Sequence, residues 1–505
     1  MLLNAELLLQ YQRCKRKAFL DTNGDLSQRE PAGDLLVKLQ QEKFAHQKTV
    51  LAQYNYHRPD YPKGDWETGA KATLDLMQQG VESIFKGVIL APYAEDITLL
   101  SRPSLLIKQP GKSQFGDWAY IPANIHLGKR PKLEYQIVAA FDAEMLAIAQ
   151  AADPTEALLL LRRKDAYKVN LDKWIGQMHK SVTECIETLR SPQIPEVFIS
   201  RQKCTLCGWF KQCYAEAKSQ QHLSLLPGIS PNRYSELQAI NLVSLEPLAK
   251  TNPDTLDSLP GFEGGIAQQL VLQAQSVVQN SPILLPFGNA YEVQQTLAAP
   301  TSQTILQALF KGKYYPPNID AFVAPIELYF DIEAQPDLNL DYLLGVLVVN
   351  RLENTEKYYA FLAESQAQEG IIWQQFLDLV GQYPQAPIFH FCPYEVDTVK
   401  RLAQLYGTPK EQLIPLLERF VDVYEEVTQM VVLPTESYAL KPLARWLGFQ
   451  WRNPEASGSQ SIFWYDRWLE TGDRTLLDAI VEYNEDDCLA TRHLKDWLVT
   501  FIQNS

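Results

Sequence analysis

Apolar and polar positions alternate or run in short blocks across residues 326–362. They predict strands over 326–333, 342–350 and 357–362. A helix from about 369, a strand over 387–392 and then mostly helix follow, so 319–505 reads as an α/β domain. The first segment, 1–215, alternates helical spacing with a Pro-, Gly-, Tyr- and Ile-rich stretch over 91–122 that suits a β-meander. From Glu134 to about Ala151 its spacing turns helical. Residues 216–285 form a short third segment with two similar phrases, Leu226-Pro227-Gly228-Ile229 and Leu259-Pro260-Gly261-Phe262. Prolines and small polar residues over 286–318 predict a linker.

Three places in the last segment put acids where the pattern expects burial. Asp331 and Glu333 lie two apart on a strand, so both carboxylates share a face. Acids side by side repel unless a cation sits between them, and all-oxygen clusters favour Mg²⁺ or Mn²⁺. Near the end, Ile480, Asp487, Leu494 and Phe501 recur every seven residues, with Tyr483, Ala490 and Trp497 between them. Asp487 therefore falls on the inward stripe of a helix, with Tyr483 one turn upstream on the same face, while Glu485 and Asp486 point elsewhere. A carboxylate on such a stripe is costly unless paired or metal-bound. Between these elements, Glu395 opens a helix with Val399 and Leu402 at +4 and +7. Asp397 has Arg401 and Gln404 there, so Glu395 faces inward and Asp397 outward.

The set Asp331-x-Glu333, Tyr394-Glu395 and Tyr483-x3-Asp487 resembles the three motifs of the DEDD exonucleases, which have the RNase H-like fold. The Tyr-x3-Asp form is similar to their tyrosine subclass. The resemblance implies a two-metal phosphodiester hydrolase, a 3′–5′ exonuclease, with Asp331, Glu333, Glu395 and Asp487 as ligands of two Mg²⁺ or Mn²⁺ ions. It gives Tyr483 the attacking water to orient or help deprotonate. The middle acid departs from the family pattern in being Glu after Phe391-Cys392-Pro393. Asp422 and Lys441 are secondary candidates, read equally well as a surface acid and a capping lysine.

Composition narrows the partners. The 505 residues carry 46 Lys+Arg against 60 Asp+Glu, a net charge of −14. The imbalance is local: residues 321–505 hold 13 basic and 28 acidic residues, and the rest of the chain is close to neutral. A non-specific coat for nucleic acid would be basic, so any nucleic acid is handled at local sites. Seven cysteines are not a secreted disulfide framework. The first twenty residues are charged too early for a signal peptide, and no stretch approaches the ~20 apolar residues of a membrane span. A cytoplasmic protein with reduced thiols is expected.

Three cysteines nonetheless crowd together as Cys204-x2-Cys207-x5-Cys213, and with Cys14 they suggest a four-thiolate site. Zinc fits the ligand count. The layout resembles RecB-type nucleases that staple their N-terminus to a cysteine trio, and this implies a [4Fe–4S] cluster. Cys185 lies in a helical pattern and reads as core. Further resemblance to the PD-(D/E)xK class lies around His46, Arg102-Pro103-Ser104, Asn124-Ile125-His126 and the helix after Glu134. Ser104, Asn124 and His126 stand where that class has two acids and a lysine, so the N-terminal domain keeps the shell without the cutting groups. Arg102, Lys108, Lys112 and above all Lys129, Arg130 and Lys132 remain to contact a phosphate backbone, or form a solvated face. The 216–285 phrases resemble helix-hairpin-helix motifs, with Glu263 and Ser230 where a second glycine belongs. Two helical hairpins that pack or bind DNA weakly are expected.

Together these readings make an α/β, multidomain chain: a degenerate RecB-like PD-(D/E)xK-type domain, a helical hairpin module and an RNase H-like α/β exonuclease domain. The resemblance is to a bacterial RecB-like nuclease family built this way. The expected partner is DNA or RNA, single-stranded. The alternative is a non-catalytic nucleic-acid-binding or scaffold protein that retains both nuclease shells.

Overall fold

The Pro- and Gly-rich stretch 91–122 does become strands in the computed structural model, which describes residues 1–162, 165–285 and 322–505. The expected linker 286–318 lies outside the described residues. The chain divides into two units, Met1–Glu216 and Ala217–Ser505.

In the first unit, helix α1 (Asp34–Leu51) precedes strands β1 (Tyr56–His57), β2 (Ser83–Phe85), β3 (Leu105–Ser113) and β4 (Gly116–His126). Helix α2 (Leu133–Gln150) and strands β5 (Ala157–Leu161) and β6 (Tyr167–Val169) follow. The strands lie in sequence order in one six-stranded sheet. β3 and β4 pair antiparallel as a hairpin, while β1–β2 and β4–β5 are parallel. Alternation divides β4 between two faces. Ala123 and Ile125 join Leu51 and Leu105 in one core, and Asn124 points the other way, to Asp142 of α2. Met77, Ile84, Tyr120, Ile137 and Phe141 centre the larger core. Cys185 is fully buried.

In the second unit, a five-stranded sheet is built from β7 (Ile326–Gln335), β8 (Leu340–Asn350), β9 (Thr355–Leu362), β10 (Ile388–His390) and β11 (Phe420–Asp422). Its order is β9-β8-β7-β10-β11. The first three are antiparallel neighbours, and β10 and β11 add on in parallel. Helix α3 (Tyr394–Leu405) follows β10, and the 30-residue α4 (Arg474–Gln503) ends the chain. Leu328, Phe330 and Ile332 pack on one sheet face with Trp373, Phe376 and Val399. Tyr329 packs on the other face, with Leu494 and Leu498 of α4.

The β10 strand stops at His390, short of the expected 392. Cys392 takes φ 77°, and its N–H is captured by Asp422 Oδ1 at 2.9 Å. This kink turns the chain into α3.

Residues 223–279 form short helices joined by turns, and they belong with the second unit. Ile283–Leu284 pairs antiparallel with Val431–Val432, and Gln273 Nε2 donates to the Leu433 carbonyl at 2.6 Å. Arg233 ties the two similar phrases together, donating to the carbonyls of Gly261 and Gly228 at 2.7 Å each. Both glycines have φ near +85°, a conformation that favours glycine. The Glu263 carboxylate accepts from the Gly261 N–H at 3.0 Å, so an acid already holds the donor a phosphate would need.

Candidate active site

The odd residues of β7 line one face and meet α4 in register. Glu327, 1% exposed, accepts from Lys495 Nζ at 3.0 Å, and Arg351 donates to the same carboxylate at 2.6 Å. Four residues further along the strand is about 13 Å, and eight residues back along the helix about 12 Å. The ion pair at Glu327 and Lys495 thus sets Asp331 against Asp487. One ligand oxygen from each of Asp331, Glu333 and Asp487 lies within 4.8 Å of the other two. Among the described residues no other set of three His, Cys, Asp or Glu does this.

Each acid has its own support. Asp331 Oδ2 accepts from Asn484 Nδ2 at 2.6 Å, and Asn484 Oδ1 accepts from the Tyr358 hydroxyl at 2.7 Å. Asn484 is fully buried because β8 has a glycine opposite Asp331. A Cβ on Gly345 would stand 1.7 Å from Asn484 Oδ1. Asp487 Oδ1 accepts from the Trp451 indole at 2.6 Å, and the Tyr483 phenol lies beside its carboxylate. Glu333 is 6% exposed and faces the Ser461 hydroxyl. None of Asn484, Trp451, Ser461 and Gly345 stands out in the sequence. Only Asn484's position, one turn after Ile480 of the inward stripe, is a signal.

Glu395 faces inward and is 4% exposed, while Asp397 is exposed, as the helical phasing expects. It is near enough to raise the pKa of Asp331 and Glu333, yet it stays outside the tight trio. Its Oε2 is buried, 3.5 Å from His390 Nδ1, and accepts no hydrogen bond. His390 Nδ1 instead lies 2.7 Å from the Cys392 carbonyl.

The electrostatics follow. Burial, then the neighbouring acids, pushes Asp331 far above the usual carboxylate range. Burial does the same to Glu333 and, less strongly, to Glu395. Asp487 is pushed up to about 6, burial being opposed by Trp451, Tyr483 and Lys441. Tyr483 is raised by burial and by Asp487, Glu333 and Asp331. Acids this crowded hold protons or a cation. The orphaned Glu395 oxygen and the three gathered carboxylates fit a divalent ion.

Secondary candidates resolve differently. Lys441 caps nothing. Its ammonium reaches the Ala456 carbonyl and lies over the rings of Trp451 and Tyr483, at 5.2 and 5.1 Å. Asp422 is the N-cap of the helix Val423–Met430. Asp486 does point away from the trio, but it is buried, and Arg452 holds it through both its Nε and its backbone N–H.

The first unit offers no such cluster among its described residues. Asn124 Nδ2 donates to Asp142 Oδ2 at 2.7 Å, and its Oδ1 accepts from the Ser104 N–H at 3.3 Å. Ser104 Oγ accepts from the Ile125 N–H at 3.1 Å. His126 stacks on Tyr135 at 3.8 Å, and burial, with Lys43 and Arg13, pushes its pKa down to about 3. Burial lifts Asp142 to about 6. Nε2 of both His46 and His126 is buried without a hydrogen-bond partner. Lys129, Arg130 and Lys132 are exposed in the segment before α2.

Cys14 ends one helix and starts the next, and its Sγ accepts from the Lys17 N–H at 3.3 Å. Cys204 Sγ accepts from the Ser200 N–H at 3.3 Å. Burial raises the Cys204, Cys207 and Cys213 thiols, and Cys14 adds to the rise in each. The four sulfurs therefore share one neighbourhood. No three of them lie within 4.8 Å of one another.

No helix among the described residues is long and apolar enough to cross a membrane. No curated protein matches the chain. A family model of the RNase_H superfamily, RNase_H_2, matches residues 328–499, the stretch that contains the four acids and Tyr483, so the C-terminal part carries an RNase H-like domain of a superfamily of metal-using nucleases.

Proposed function

We propose that the protein is a 3′–5′ exonuclease that shortens single-stranded DNA or RNA with Mg²⁺ or Mn²⁺. The observation that carries this reading is the gathering of Asp331, Glu333 and Asp487 within 4.8 Å, with the unpartnered Glu395 oxygen beside them. These four carboxylates would hold the ions. When bound, two divalent ions supply Lewis acidity to the phosphodiester and to the attacking water. Asn484 and Trp451 fix Asp331 and Asp487 in place before substrate arrives. Tyr483 keeps its phenolic proton beside the acids, which suits it to orienting the water rather than removing its proton.

The four cysteines hold a [4Fe–4S] cluster in this reading. Support comes from their shared neighbourhood and the N–H donors to Cys14 and Cys204; a structural zinc is the alternative. The first unit contributes nucleic-acid binding, not cutting, because Ser104 and Asn124 satisfy one another and offer no charge to a cation. The test uses the full chain with single strands labelled at either end. Stepwise shortening of 5′-labelled strands, only with a divalent ion, supports the reading. Release of mononucleotides from the 5′ end overturns the polarity.

A further inference from the structure

We propose that the first unit holds a phosphate-backbone site for single-stranded nucleic acid on four cations, Lys43, Arg58, Lys86 and Arg102. Strand pairing brings three of them together. β1 and β2 run parallel with His57 opposite Ile84, so Arg58 leaves β1 beside Phe85. Phe85 pairs with Leu105, and the Lys86 N–H donates to the Ser104 carbonyl at 3.2 Å, two residues from Arg102. Lys43 comes from α1, which packs on β4, and acts on both Lys86 and His126.

The cluster is unneutralised. The half-buried Lys86 ammonium is surrounded by Arg102, Arg58 and Lys43, and burial together with these like charges lowers its pKa. No carboxylate among the described residues forms an ion pair with any of the four. Glu42, adjacent to Lys43, is spent on Arg162. Arg102 Nε is buried with no hydrogen-bond partner. Lys86 also sits at φ 53°, a conformation that side chains other than Gly, Asn and Asp rarely adopt. Crowded cations and an orphaned donor at one point are explained by an anion that pairs with them.

Aromatic faces lie among the cations, and they favour a nucleic-acid strand over an acidic protein. The Arg102 guanidinium is 5.7 Å over Trp66, and Lys86 Nζ is 5.3 Å from the Phe85 ring. Tyr56, 41% exposed, packs 5.4 Å from Phe85. Cations that track phosphates beside rings that stack bases are the means by which proteins grip single strands. This site is built from the first unit's residues alone, and binding there does not depend on the activity of the C-terminal acids.

The test measures binding of the full chain in EDTA to a fluorescent oligothymidylate by anisotropy, across a salt series. Each lost phosphate contact shallows the log–log salt slope by roughly 0.7. Replacing all four residues with Gln should lower affinity roughly 100-fold at 0.1 M salt. The variant Lys43→Gln with Arg58→Gln changes two exposed side chains, leaves folding intact, and should shallow the slope by about 1.4. A matched Lys129→Gln, Arg130→Gln, Lys132→Gln variant should change it less. An unchanged slope in the double variant, or a larger effect in the triple one, would overturn the assignment. So would equal binding of polyglutamate. Inorganic phosphate should displace the strand only weakly at matched ionic strength, and displacement at millimolar phosphate would mean that a free anion is the ligand.

Discussion

Two strands in this protein carry polar side chains at alternate positions, and their fates differ. On β4, Asn124 is satisfied by Asp142 and Ser104, and His126 lies uncharged against Tyr135. On β7, Asp331 and Glu333 meet Asp487 and Glu395, and one oxygen is left without a partner. The first arrangement gathers no cluster of carboxylates, and what it leaves unpaired is a neutral ring nitrogen, His126 Nε2. The second holds repulsion that only protons or cations relieve. The same strand geometry serves packing or chemistry according to whether charge is left over.

The largest expected effect breaks the second arrangement. Asp331→Asn and Asp487→Asn should each lower nuclease turnover by at least about 10³-fold, because the ligands act as a unit. Initial rates on a labelled strand would check this, and a loss under tenfold would remove the mutated acid from the metal site. Next come the supports. Asn484→Ala should cost about 10–100-fold, as outer-shell partners of metal ligands do. Gly345→Ala should lower both activity and stability, since its Cβ would drive Asn484 off Asp331. Activity and melting temperature that both stay at the native value in Gly345→Ala would contradict the packing.

The pH dependence sharpens the contrast. Asp487, raised to about 6, and its three raised neighbours keep protons in the folded chain that an unfolded chain has lost above about 4. Metal-free stability should therefore be fully present near pH 4 and fall as pH rises through about 6. Asp142 adds a slope of the same sign. Mn²⁺ should flatten the part due to the β7 cluster and leave the Asp142 part. Thermal melts in EDTA and in Mn²⁺ would show this, and identical slopes would count against metal at the acids. The smallest effect on activity belongs to Asp486→Asn. It weakens one of the partners of Arg452, which also holds Glu485, and should cost about 1 kcal/mol of stability, since Arg452 is partly solvated, with little loss of turnover.

The sequence exposed the acids well. Alternation put Asp331 and Glu333 on one face, and the seven-residue recurrence placed Asp487 inward. The +4 and +7 neighbours separated Glu395 from Asp397. These are local patterns, and strands and helices have fixed periods. The supports were hidden because they come from far along the chain: Asn484 to Asp331 spans 153 residues, and Trp451 to Asp487 spans 36. Nothing local marks Gly345 as the space Asn484 fills. The same holds for the four cations of the first unit, which three strands and a helix bring together. The burial of Asp486 under Arg452 was likewise hidden, because helical phasing shows which face a residue takes, and not what loop arrives to cover it.

The central claim is that the four acids, and not the Ser104–Asn124 layer, carry metal-dependent cutting. It is tested most directly by incubating the full chain and its Asp331→Asn, Asp487→Asn double variant with a 5′-labelled single strand and Mn²⁺. The account predicts a ladder of shortened strands from the native chain and an intact strand from the variant. Cutting by the double variant that is abolished by a further His126→Ala or His46→Ala change would contradict it.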